Sequence, residues 1–211
     1  MNTRERILRR VIASTRGDAD AAAVERTIAQ PERGPAPTID GDLAALFCQC
    51  AAALASDVVR VPASADVPAA LATYLDRHGG ARRAVSWPEL LSLPWTAQGF
   101  SVEARAARGD DPVGITGTFA AIAETGTLML LSGSATPASV SLLPETHVAV
   151  VRTDQLVATM ENGFARLRAE HAAMPRAVNF VSGPSRTADV EQTVTLGAHG
   201  PRRVLIVLVE R

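Results

Sequence analysis

Arg203-Val204-Leu205-Ile206-Val207-Leu208-Val209 is the stretch that decides the fold. Six apolar residues follow one another without alternation. A strand with one wet face alternates apolar with polar, so an unbroken run of this length reads as a strand covered on both faces, as in a parallel sheet between two layers. Val58-Val59-Arg60-Val61 before Pro62, and His147 to Val151 after Pro144, read the same way. Helical patterns lie between such strands: Leu43 to Leu54, Val67 to Arg77 ending near Gly79-Gly80, a long helix capped by Asp154 and running to about His171, and a last helix after Ser182-Gly183-Pro184-Ser185 that ends at Gly197 or Gly200. Arg83 to Trp87 and Val178 to Val181 read as further strands, and Pro88 to Leu93 as a short helix capped by Ser86. One segment breaks the alternation. Phe119 to Glu124 and Thr127 to Leu131, joined by Thr125-Gly126, form a hairpin pattern inside an otherwise α/β chain. The expected architecture is an α/β three-layer sandwich around a mostly parallel sheet.

Upstream, Ile7, Leu8, Val11 and Ile12 recur at helical spacing among arginines and predict an amphipathic helix. Gly17 to Asp42 is rich in Gly, Pro and Ala and reads as a linker. The expected organisation is therefore a helix and linker over 1–42 and an α/β domain over 43–211. Lys and Arg total 21 against 22 Asp and Glu, leaving a net charge of -1. That balance offers no basic surplus for nucleic-acid phosphates. No apolar stretch approaches the ~20 residues that span a bilayer. The charged start, with Arg4, Glu5, Arg6, Arg9 and Arg10, lacks a signal-peptide pattern, so the expected location is the cytoplasm. Cys48 and Cys50 are the two cysteines. Two apart on a helix, they point away from each other, and an iron–sulfur cluster takes about four thiolates. No Walker loop, G-x-G-x-x-G, G-x-S-x-G or H-E-x-x-H pattern occurs, so neither a metal nor a cofactor is expected in this chain.

Three segments are candidates for chemistry. In the first, Thr116, Gly117, Thr125, Gly126 and Thr127 crowd around Glu124, whose carboxyl lies between the apolar runs 120–123 and 128–131. Desolvation there would raise its pKa and suit it to proton transfer, and the plain alternative is a strand-end Glu accepting backbone N–H bonds. In the second, Ser182, Gly183, Ser185 and Arg186 lie between a strand and an expected helix. Free N–H groups and a guanidinium fork there would hold a carboxylate or phosphate, whereas an ordinary helix cap explains the same residues. In the third, His199 sits between Ala198 and Gly200, where an imidazole can titrate near neutral pH. Glu124 and His199 are the catalytic candidates and the others the substrate-binding candidates. All three segments flank expected strands, whose ends gather at sheet edges, so they are expected to converge on one concave site.

The runs from Gly114 to Leu131, Leu143 to Val151 and Ser182 to Arg203 resemble, in order, three signature blocks of the LUD domain, the lactate-utilisation protein C family. The resemblance extends from about Ser56 to the end, with Arg186 where many relatives carry Lys. It implies a fold similar to the sugar-phosphate isomerase and CoA-transferase group. It also implies an accessory, non-redox role beside iron–sulfur proteins that oxidise L-lactate to pyruvate, with a small-carboxylate pocket. The rival reading is a stand-alone isomerase or acyl- or CoA-transferring enzyme acting on a small anion with Glu124 as base or nucleophile.

Overall fold

The structure, a computed structural model, describes residues 2–14, 20–29, 38–187 and 195–210. The chain divides into two compact units between Thr38 and Ile39.

The first unit holds α1 (Thr3–Ser14) and α2 (Ala21–Ala29). Asn2 and Glu5 cap α1 reciprocally: the Glu5 amide donates to Asn2 Oδ1 at 2.9 Å and the Asn2 amide to Glu5 Oε2 at 3.1 Å. The stripe of Ile7, Leu8, Val11 and Ile12 stands exposed. Helix α2 corrects the reading of 17–42 as a linker throughout. Asp20 caps it through the Ala22 amide at 3.0 Å, and the alanines that follow are the strongest helix formers. The prolines at 31, 35 and 37 lie outside the described residues.

The second unit begins with α3 (Leu43–Ala53), capped by the Asp42 carboxylate on the Ala44 and Ala45 amides. It continues through β1 (Asp57–Val61), α4 (Val67–His78), β2 (Arg83–Ser86), β3 (Ser101–Ala104) and β4 (Val113–Thr116). Then follow β5 (Ala120–Ile122), β6 (Thr127–Leu131), α5 (Ser139–Leu142), β7 (Thr146–Arg152), β8 (Leu156–Val157), α6 (Met160–Glu170) and β9 (Val178–Val181). Strands β10 (Arg186–Thr187), β11 (Thr195–Leu196) and β12 (Arg203–Val209) complete it. Six strands form a parallel sheet in the order β1-β12-β7-β4-β2-β3. The expected α/β fold with a parallel sheet is borne out. Among the described residues no helix is long and apolar enough to cross a membrane.

The unbroken apolar run of β12 has the cause the sequence suggested. Leu205, Val207 and Val209 pack with Val148, Val150 and Ile115 under α4, Trp95 and Phe100. Val204, Ile206 and Leu208 pack on the other face, against Phe47 and Ala51 of α3 and against Leu128 and Leu130. Those leucines belong to a second sheet, β8-β5-β6-β9, built on the expected hairpin and covered on its far side by Leu167 of α6. One cover of the large sheet is thus a helix, and the other is a helix beside a small sheet.

Three local expectations are corrected. Asp154 does not start a long helix. It lies in a tight turn, paired with Arg152 at 3.1 Å, because Leu156 and Val157 are drawn into pairing with β5, and α6 starts later behind a Thr159 cap. Among the described residues no helix follows Ser185, and Arg186–Thr187 pairs antiparallel with Thr195–Leu196. Thr187 and Thr195 are β-branched, which favours the extended backbone they adopt. Residues 188–194, in the middle of that expected helix, lie outside the described residues. Ser86 caps nothing, because its hydroxyl donates to the Trp87 carbonyl, and the following 3₁₀ turn spans Pro88–Leu90 alone. Strand β3 and helix α5, too short for a periodic signal, were not expected at all.

An ion pair ties the β3–β4 connection together. Arg105 grips Asp111 with two bonds of 2.7 Å, the Arg108 amide donates to the same carboxylate, and its side chain is 1% exposed. The Arg105 guanidinium holds the Asp111 carboxyl down to about 2. Asp111→Asn is expected to cost about 2 kcal/mol, the worth of a charge-assisted bond. A urea melt checks this, and a loss below about 0.5 kcal/mol, the scale of a surface substitution, would show the pair to be ornamental.

Candidate functional site

The strand order contains one reversal. From β2 the chain steps outward to β3 through the Trp95–Phe100 side of the sheet. From β4 it steps the other way to β7 through the side occupied by Val140 and the small sheet. Neighbouring parallel strands whose onward connections diverge leave a crevice at their carboxyl ends, the place where open α/β sheets bind ligands. Here that place holds a cavity of about 420 Å³, walled by Trp87, Glu89, Thr118, Phe119, Leu131 and His171 among others.

Each wall residue has an identifiable cause. The Trp87 amide donates to the Ile115 carbonyl at 3.1 Å, which extends the β2–β4 ladder by one bond, and its indole N–H reaches the Pro137 carbonyl at 3.4 Å. Pro88 opens the turn that carries Glu89. The carboxylate of Glu89 leans on Gly117 so closely that a Cβ there would fall 2.0 Å from Oε1. Gly117 is thus the residue that admits it. Gln155 donates to the Thr118 carbonyl and fixes the backbone after β4, whereas the buried Thr118 hydroxyl has no protein partner among the described residues. The Phe119 ring lies edge-on to His171 at 5.6 Å, with the Arg166 guanidinium 5.2 Å from its centre.

The residues singled out in the sequence are distributed otherwise. Thr116 is buried in the sheet and bonds through Oγ1 to His147 Nε2 at 2.8 Å. Glu124 accepts the Met160 amide at 2.8 Å and so caps α6. Thr125 is exposed. Gly126, at φ +64°, rests on the backbone of Cys50 and Ala51. Thr127 bonds to Ser182 through their hydroxyls at 2.8 Å. Gly183, at φ +86°, packs on the Leu54 carbonyl, to which Arg186 also donates at 3.4 Å. The Ser185 amide donates to the Pro201 carbonyl at 2.9 Å, bringing the loop of the exposed His199 alongside. Segments 124–127 and 182–186 therefore meet, with the 197–201 loop beside them, and what they meet around is the end of α3. Burial raises the pKa of the Cys48 thiol, and Cys50 Sγ donates to the Glu124 carbonyl at 3.6 Å.

Sequence reasoning passed over Glu89, Thr118, Phe119 and His171. A readable signal existed for the first. A Trp-Pro-Glu step directly after an apolar strand puts a carboxylate at a strand's carboxyl end, and Gly117-Thr118-Phe119 does the same for the neighbouring strand.

A family model of the LUD domain matches residues 92–209, more than half of the chain. The chain belongs to the LUD domain family. The match covers Thr118, Phe119 and His171, and Trp87 and Glu89 lie just before it. Lactate utilization protein C of Exiguobacterium sp. is 32% identical over 182 residues, covering 80% of this chain and 78% of that protein. Lactate utilization protein C of Halalkalibacterium halodurans is 40% identical over 101 residues. The aligned part of this LUD domain chain spans about half the length of that relative (44%). The crystal structure of a DUF162 family protein from Deinococcus radiodurans superposes with a TM-score of 0.60 at 28% identity, covering 82% of this chain and 99% of that one.

Proposed function

We propose that this LUD domain protein serves lactate utilisation in the cytoplasm as a component without a redox centre of its own, acting beside iron–sulfur proteins that oxidise L-lactate to pyruvate. The observation that carries the reading is the likeness, over about four-fifths of both chains, to a relative named lactate utilization protein C. Electron counting supports the division of labour. Lactate gives up two electrons and two protons on becoming pyruvate, and this chain supplies two thiols, both free, against the roughly four that hold a cluster. Free thiols also suit a reducing compartment.

The test is to assay L-lactate oxidation with an artificial electron acceptor, using the chain alone, the iron–sulfur proteins alone, and all together. The expected result is dye reduction in the complete mixture and none by the chain alone. Lactate-dependent reduction by the isolated chain, or a complete rate when the chain is omitted, would overturn the reading. Turnover of a small anion by the chain alone would favour the isomerase or acyl-transfer alternative.

A further inference from the structure

We propose that the crevice between the ends of β2 and β4 is a binding site for a small 2-hydroxycarboxylate, with Glu89 accepting the hydroxyl hydrogen and His171 receiving the carboxylate. The inference rests on the lactate-utilisation reading for the choice of acid, and on the crevice for everything else. Three observations point the same way. The cavity stands at the topological reversal of a parallel sheet, where the connections themselves leave space. Its volume of about 420 Å³ is that of a ligand site and leaves room beyond a three-carbon acid. Its walls divide into the chemistry such an acid requires: an apolar part from Trp87, Phe119 and Leu131 for the alkyl group, a carboxylate acceptor, and an imidazole donor.

Glu89 is the decisive group. Its carboxylate has no hydrogen-bond or ion-pair partner among the described residues, and the bare α-carbon of Gly117 is what lets it lie at the sheet's end. A carboxylate so placed accepts hydrogen bonds and donates none, so it distinguishes a ligand bearing a hydroxyl from one bearing hydrogen at the same carbon. His171 ends α6 with its ring against Phe119, on the same cavity as Glu89, and offers an N–H to the anionic end.

The experiment is calorimetric titration of the full chain with L-lactate and with propionate, which lacks the hydroxyl. Lactate is expected to bind saturably and in preference to propionate. In Glu89→Ala the preference for lactate over propionate should fall about tenfold, the worth of one charged hydrogen bond, because both acids share the loss of the carboxylate's negative charge and lactate alone loses the bond. Gly117→Ala should do the same by pushing the flexible carboxylate aside, whereas His171→Ala should weaken both acids alike. Glu89 and His171 are exposed, so their variants keep the parent melting temperature and carry the test even if Gly117→Ala does not fold. Absence of saturable lactate binding, or an unchanged lactate-to-propionate ratio in Glu89→Ala, would overturn the site. Reconstituted lactate oxidation that needs the chain while the crevice binds nothing would remove the site and leave the role. Selective binding without any effect on lactate oxidation would do the reverse.

Discussion

Gly126→Ala is expected to destabilise the 39–211 unit by about 4 kcal/mol, the sum of a left-handed backbone penalty and core overpacking. For a domain of this size that corresponds to a fall of roughly 10 °C in melting temperature. Two independent effects act at one residue. At φ +64° the turn between β5 and β6 needs a conformation that side chains resist. The added methyl would also stand 2.2 Å from the Ala51 nitrogen and 2.5 Å from the Cys50 carbonyl carbon. Both atoms belong to the backbone of α3, whose own hydrogen bonds prevent them from swinging aside, so either the hairpin or the helix must move. Thr125→Ala, one residue earlier and exposed, is the control and should melt within a degree or two of the parent. A Gly126→Ala protein that melts with that control would refute the close docking of hairpin on helix.

Acid should weaken the fold through one imidazole. His147 is wholly buried at the second position of β7, bonded through Nε2 to Thr116, and its Nδ1 has no partner among the described residues. Burial alone drives its pKa down from 6.5 to about 4. The unfolded chain therefore takes up this proton near pH 6.5 while the folded one resists it until about 4. The stabilisation from keeping the ring neutral is complete above pH 6.5 and is lost as pH falls through 4. Over the whole window that is roughly 3 kcal/mol. Asp111, lowered from 3.8 to about 2, is ionised in both the folded and the unfolded chain over most of this window and so adds little to the slope until the pH falls below about 4. Denaturant melts from neutral pH down to pH ~4.5 should show most of this loss in the parent. In His147→Gln, which keeps a polar partner for Thr116 but cannot titrate, the curve should be flatter by that amount. Parallel curves for the two proteins would show that His147 is not the acid-sensitive group.

The parts of the fold legible in the sequence are those whose pattern is set by their own residues. The apolar runs 147–151 and 203–209 announce strands covered on both faces, the helical pattern from Leu43 announces α3, and Thr125-Gly126 announces a hairpin turn. Strands β8, β10 and β11 are each two residues long, and pairing with a distant segment creates them, so no local period could reveal them. The candidate site follows the same division. The dense glycines and hydroxyls of 124–127 and 182–186 do signal close approach, as read, but the approaching group is the backbone of α3. Glycine reports that something comes near without saying whether it is a ligand or a helix. Glu89 directly follows an apolar strand, a signal present but local, whereas His171 occupies an unpatterned position, and the topology brings the two to one crevice. The three family blocks were legible because each is long, and the match over 92–209 agrees with them.

The pairing of β1 with β12 also sets a clock on folding. Residue 57 lies beside residue 205, so the edge strand β1 has as its neighbour the strand that is synthesised after the other five of the sheet. Until that neighbour arrives, both β1 and β7 offer unpaired backbone to any passing strand, and the sheet cannot be closed by vectorial growth alone. Such long-range parallel pairing makes for a slow final step, with aggregation as its competitor. Chains shortened before Arg203 would keep that exposed slot between β1 and β7 permanently, a cellular liability that no change at the crevice would create.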